Sequence, residues 1–198
     1  MPIYTAFAGH ALLAAGPLAE VALAARRAAD GDAGAAVFIY EDATGRAIDV
    51  DTRGTDAEIV ARLPLPLPLP TPVEPEAEPE GSPARPRGRG RPRLGVVARE
   101  VTLLPRHWDW LAGQPGGASV ALRKLVEQAR REHAGADALR RGRDAAYTFM
   151  SAAAGNLPGF EEAVRALYAG DAERLAAHMA GWPADVRAYA LRLAGAAD

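Results

Sequence analysis

The sequence predicts an α+β fold: a small N-terminal ββαββα domain over residues 1–63, a Pro-rich disordered linker, then one strand followed by a mostly α-helical C-terminal domain. Three observations lead there. Short apolar alternations and one amphipathic run fill the first 63 residues. Ten of the 16 prolines fall between Pro64 and Pro92. Beyond Pro105, apolar residues recur at helical spacing between glycine and proline stops.

In the first part, Ile3–Ala8 and Ala11–Ala15 flank Gly9-His10 as a hairpin. Gly16 caps a helix that starts at Pro17, where a missing N–H costs nothing. Leu18, Val21, Leu23 and Ala25 form its apolar side, and Asp30-Gly31 ends it. Val37-Phe38-Ile39-Tyr40 reads as a buried strand and Asp42-Ala43-Thr44-Gly45 as a turn. Ile48 and Val50, alternating with Asp49 and Asp51, read as the return strand. Thr55-Asp56-Ala57-Glu58 is a capping box that opens a short helix through Leu63.

Residues 64–93 form the linker. The run Pro64-Leu65-Pro66-Leu67-Pro68-Leu69-Pro70 is expected as extended polyproline II, rising about 3.1 Å per residue. Glu74, Glu76, Glu78 and Glu80 follow, and the charge changes sign at Arg85.

Residues 94–134 read as strand-helix-helix. Val96–Leu104 alternates like a strand, Pro105 starts a short helix through Gln114, and Pro115-Gly116-Gly117 is a turn. Ser119 is expected to cap a longer helix with Leu122, Leu125, Val126 and Ala129 on its apolar side. Residues 135–198 read as helices: about Asp137–Ala154 with Leu139, Ala146, Phe149, Met150 and Ala153 inward, one after Pro158-Gly159, one from Asp171 and one after Trp182-Pro183. Gly155, Gly170 and Gly181 stand where helix ends favour glycine.

Composition bounds function only loosely. The 198 residues are 49% hydrophobic and 24% charged, with no cysteine, so disulfides, thiolate zinc sites and thiol nucleophiles are out. The N-terminus lacks a cationic lead into an apolar core, and no segment offers the roughly 18 apolar residues of a membrane span. A cytoplasmic protein is the default expectation, with no membrane partner.

The net charge of −2 hides a strong segregation. Residues 1–84 carry 5 basic and 13 acidic side chains (−8), residues 85–131 carry 11 and 3 (+8), and residues 132–198 carry 7 and 9 (−2). A +8 block of 47 residues points to a polyanionic partner. Within it, Arg87-Gly88-Arg89-Gly90-Arg91-Pro92-Arg93 has a core, Arg89-Gly90-Arg91-Pro92, that resembles an AT-hook. Gly90 lets the backbone sit deep in a minor groove about 6 Å wide, Pro92 fixes direction, and the guanidiniums favour the negative potential of A/T-rich tracts. That resemblance implies A/T-rich duplex DNA as partner and Arg87, Arg89, Gly90, Arg91, Pro92 and Arg93 as contacts.

The order strand, Pro, short helix, turn, helix over 96–131 resembles the ribbon-helix-helix fold, in which two chains pair strands into a ribbon that enters the major groove. It implies a homodimer through residues 96–131, with Thr102 facing the groove; in a DNA-binding reading of the whole block, Arg99, Arg106, Arg123, Lys124, Arg130 and Arg131 are expected to meet phosphates or the adjacent groove. Glu100 on the groove side and a first helix about one turn short depart from that pattern. RNA or a protein partner in place of DNA stays open.

Longer strings resemble a bacterial family known only as domain of unknown function 2239, over nearly the full chain. They include Tyr4-Thr5-Ala6-Phe7-Ala8-Gly9-His10, Asp42-Ala43-Thr44-Gly45-Arg46 and Gly155-Asn156-Leu157-Pro158-Gly159-Phe160. The resemblance implies no established activity.

Other constellations are weaker. His107, Trp108 and Trp110 suit a stacking platform for single-stranded bases; the plainer reading puts Trp108 and Leu111 in the core and leaves Trp110 half exposed. Asp42, Asp49 and Asp51 suit a divalent cation, or simply the wet face of a strand. His10, His107, His133 and His178 are isolated, and no G-x-S-x-G, Walker-type loop or H-E-x-x-H occurs. The pattern therefore points away from an enzyme, a cofactor or a metal. It favours a DNA-binding protein, a transcriptional regulator or nucleoid-associated factor. The alternative is a protein–protein adaptor, antitoxin-like proteins included, that uses the Pro-rich linker and C-terminal helices.

Overall fold

The computed structural model describes residues 3–31, 36–63 and 99–196. The class is α+β. Met1–Pro66 and Glu132–Asp198 form one compact unit, and Leu67–Arg131 forms another.

The first unit is built on a four-stranded antiparallel sheet of order β2-β1-β3-β4, with β1 Tyr4–Ala8, β2 Ala11–Gly16, β3 Val37–Glu41 and β4 Arg46–Ile48. Gly9, at φ 55°, takes the first central position of the β1–β2 turn, where a type II′ hairpin wants glycine. Side chains alternate across a strand, so β1 feeds two cores. On one face Ala6 and Ile39 pack with Val21 and Ala25 of α1 (Leu18–Gly31). On the other, Phe7 and Tyr40 join Phe149 and Met150 of α4 (Gly117–Ala153). Helices α5 (Phe160–Ala169), α6 (Ala172–His178) and α7 (Ala184–Leu193) complete that core through Leu167, Leu175, Val186 and Tyr189. Helix α2 (Asp56–Arg62) opens with the expected capping box.

The centre of the larger core is aromatic. Phe7 lies 5.5 Å from Phe149 and 5.4 Å from Tyr189, and Tyr40 meets Phe149 edge-on at 4.9 Å. Edge-to-face pairs of this kind add about 0.5–1.5 kcal/mol each beyond area burial. Beside them sits a polar knot. Thr5 Oγ1 and Tyr189 OH both donate to Asp42 Oδ1 at 2.9 Å. Asp42 Oδ2 is buried and meets Arg192 at 2.8 Å as an ion pair without hydrogen-bond geometry. The Arg192 guanidinium also lies over the Tyr189 ring, 4.8 Å from its centre. Burial, and then the Asp42 charge, push the Tyr189 hydroxyl well above the usual tyrosine range.

Several expectations need correcting. Residues 1–63 and 135–198 are separate regions in the sequence reading, yet Phe7 and Tyr40 share one core with Phe149 and Tyr189, so the chain's two ends close on each other. The helices expected from Ser119 and from Asp137 are one helix, α4, which starts at Gly117; Gly135 costs only about 1 kcal/mol in a helix and does not end it. Leu139, expected inward, is exposed. Asp49 and Asp51 lie beyond β4, which ends at Ile48.

In the second unit, α3 (Pro105–Ala112) starts with Pro at N1 and leads through Gly116 and Gly117, both at positive φ, into the first turns of α4. Residues 99–104, expected as strand, are irregular. Among the described residues no strand pairs with this segment, and an unpaired stretch has no ladder of hydrogen bonds to hold it extended. Val96–Ala98, the linker 64–93 and its polyproline run lie outside the described residues.

Candidate nucleic-acid interface

The basic block contributes two kinds of residue. Arg87, Arg89, Gly90, Arg91, Pro92 and Arg93 lie outside the described residues. Arg99, Thr102, Arg106, Arg123, Lys124, Arg130 and Arg131 are described, and all are exposed.

Helical geometry sorts the α4 residues. At 100° per residue, Arg123, Arg130, Lys124 and Arg131 fall on one arc, together with Glu127. Ala121, Leu122, Leu125, Val126 and Ala129 fall on the other. Arg130 is tied to Glu127 at 2.7 Å, and Arg123 Nε donates to the Ser119 carbonyl at 3.0 Å. Both contacts hold the side chains along the helix surface. Arg99, Arg106, Lys124 and Arg131 are exposed and pair with no carboxylate among the described residues.

The apolar arc is the surprise. Spacing assigns these residues to a core, but only Ala121 is buried; Leu125 is 44% and Val126 55% exposed. Leu111 of α3 is buried against this arc, and a groove of about 270 Å³ opens beside it, lined by Leu103, His107, Trp110, Leu111, Leu122 and Leu125. Trp110 is 54% exposed. Trp108, expected in the core, is exposed too, because a two-turn helix with only one partner helix covers a single side, the side of Leu111. The i, i+3, i+4 pattern was the available signal for this groove, though it reads equally as core.

Elsewhere, the three aspartates weighed as a cation site part company. Asp42 belongs to the core knot. Asp51 is taken by Arg53 at 2.8 Å and Arg62 at 3.8 Å, and the Arg53 hydrogen bonds hold its carboxyl down at about 2. Among the described residues no group of three His, Cys, Asp or Glu side chains could hold a metal ion, and no helix is long and apolar enough to cross a membrane.

No curated protein and no solved structure matches the chain. A family model matches residues 3–194, which take in the whole basic block. The chain therefore belongs to the family described as an uncharacterized protein conserved in bacteria, domain of unknown function 2239.

Proposed function

We propose that residues 85–131 bind DNA and that the protein acts as a transcriptional regulator or nucleoid-associated factor. The observation that carries this reading is a set of four exposed cations that meet no carboxylate among the described residues. Lys124 and Arg131 lie one side of α4, Arg99 and Arg106 are exposed in the same unit, and none of the four meets a carboxylate among the described residues. Such cations gain most from phosphates, because each contact releases a condensed counterion. The tract from Arg87 to Arg93 supplies the groove-seeking part, with A/T-rich duplex as the preferred target. A gel-shift comparison of the wild-type chain with an Arg89→Ala/Arg91→Ala double variant tests it. Loss of retardation on A/T-rich duplex, and competition by a minor-groove dye, are expected. Unchanged retardation contradicts the role of the tract.

A second reading is favoured by the exposed Val101, Leu104 and Val126. These suit a protein contact: a second copy of this chain through residues 96–131, in which paired strands would build the ribbon, or an adaptor partner. Light scattering separates monomer from dimer, and a monomer at working concentration removes the ribbon.

A further inference from the structure

We infer that the groove between α3 and α4 receives an unpaired base, giving the surface a single-strand mode as well as a duplex mode. The inference rests on the reading that residues 85–131 meet a polyphosphate chain, and it names the form of nucleic acid this part takes. The groove is almost wholly apolar, with Leu111, Leu122 and Leu125 in its lining and two flat rings, His107 and Trp110, one helical turn apart. A base offers a π-face to such a lining whatever its identity, so stacking there is tolerant of sequence.

Charge complementarity selects the occupant. Residues 99–131 carry six basic side chains, Arg99, Arg106, Arg123, Lys124, Arg130 and Arg131, against three acidic ones, Glu100, Asp109 and Glu127. Arg106 stands at i, i+4 to Trp110 on α3, so that helix brings an exposed cation to the groove's side, whereas Lys124 and Arg131 lie on the other arc of α4. Flat apolar lining beside Arg106, which meets no carboxylate among the described residues, matches bases joined by phosphates. A duplex keeps its bases stacked inside and cannot offer one to the groove without unpairing it.

The test uses the full chain with two probes, an unstructured oligo-dT and an A/T-rich duplex. The chain has three tryptophans, and Trp182 is 5% exposed in the other unit, so quenching of emission reports on Trp108 and Trp110. Oligo-dT is expected to bind and quench. Trp110→Ala is expected to weaken oligo-dT roughly fivefold or more while changing duplex affinity by less than about twofold. Trp110→Phe keeps a ring and is expected to restore most of the loss. Trp108 projects from a different side of α3, so Trp108→Ala is expected to leave oligo-dT affinity near the wild-type value.

Duplex binding without oligo-dT binding, or equal losses on both probes, overturns the inference and leaves the proposed function standing. Binding of neither probe overturns both. A dimer in which Trp110 is shielded from a neutral quencher also overturns it, because a second copy then fills the groove.

Discussion

The Tyr189 hydroxyl donates a hydrogen bond of 2.9 Å to Asp42, which lies 147 residues earlier in the chain. This contact joins the β3–β4 turn to the last helix. Thr5 donates to the same carboxylate oxygen, so one acidic side chain organises three elements of the first unit. Removing the hydroxyl in Tyr189→Phe is expected to cost about 1.5–3 kcal/mol, the range for a hydrogen bond to a charged acceptor. Asp42→Ala strips two hydroxyls of their acceptor and is expected to cost about 3 kcal/mol. The half-exposed Arg192 can be hydrated, which keeps the loss below that of a fully buried broken pair. Urea denaturation of the three proteins measures both differences. Losses below about 0.5 kcal/mol, typical of surface changes, would mean the knot holds nothing together.

The same knot sets a response to alkali. Burial first, and the Asp42 charge second, raise the Tyr189 hydroxyl above its ordinary value of about 10. The folded state therefore holds this proton more tightly than the unfolded chain does. The corresponding stability is fully present below about pH 10 and is lost progressively as pH rises toward the folded value. Denaturation midpoints followed above pH 10 are expected to fall more steeply for wild type than for Tyr189→Phe. Parallel curves would show that another group governs the alkaline limit.

Two glycines give a contrast that separates backbone strain from collision. Gly9 and Gly45 both have positive φ, at 55° and 67°. Nothing lies within 4 Å of where a Gly9 side chain would stand, whereas the Ala145 carbonyl of α4 occupies that space at Gly45. Gly9→Ala is expected to cost about 1 kcal/mol from conformation alone. Gly45→Ala adds a backbone clash and is expected to cost more than about 3 kcal/mol or to prevent folding. Thermal unfolding of the pair decides it, and similar melting temperatures would contradict the close approach of turn and helix.

Local chemistry was legible in the chain, and distant pairing was not. Thr55 and Glu58 declare their capping box within four residues, and Gly170 followed by Asp171 declares one helix end and the next start; the structure has both. Gly9-His10 likewise announces its hairpin. Nothing local announces that Phe7 meets Phe149, because side-chain type sets burial but not partner. Periodicity placed Leu122, Leu125 and Val126 on one face of α4, yet it reports which residues share a face and is silent on whether anything covers it. For the same reason spacing draws both arcs of α4 but does not tell an open groove from a covered core.

On α4 the arc itself makes a separate expectation. Replacing Lys124 and Arg131 by Ala removes two exposed cations that pair with no carboxylate among the described residues. Binding should weaken on every duplex alike, because phosphate contacts carry no sequence information. Unfolding midpoints should stay within about 0.5 kcal/mol of wild type, as for most surface changes. A loss confined to one base composition would instead assign these side chains to base reading.

The central claim is electrostatic and is met most directly by one titration series. Fluorescence anisotropy of a labelled A/T-rich duplex, bound by the full chain at several salt concentrations, gives the slope of log affinity against log salt. Binding at low salt is expected, with a linear fall of about 0.9 per phosphate neutralised and a smaller slope for the Lys124→Ala/Arg131→Ala variant. Duplexes of every base composition left free at low salt, or an affinity indifferent to salt, would rule out phosphate binding by this surface.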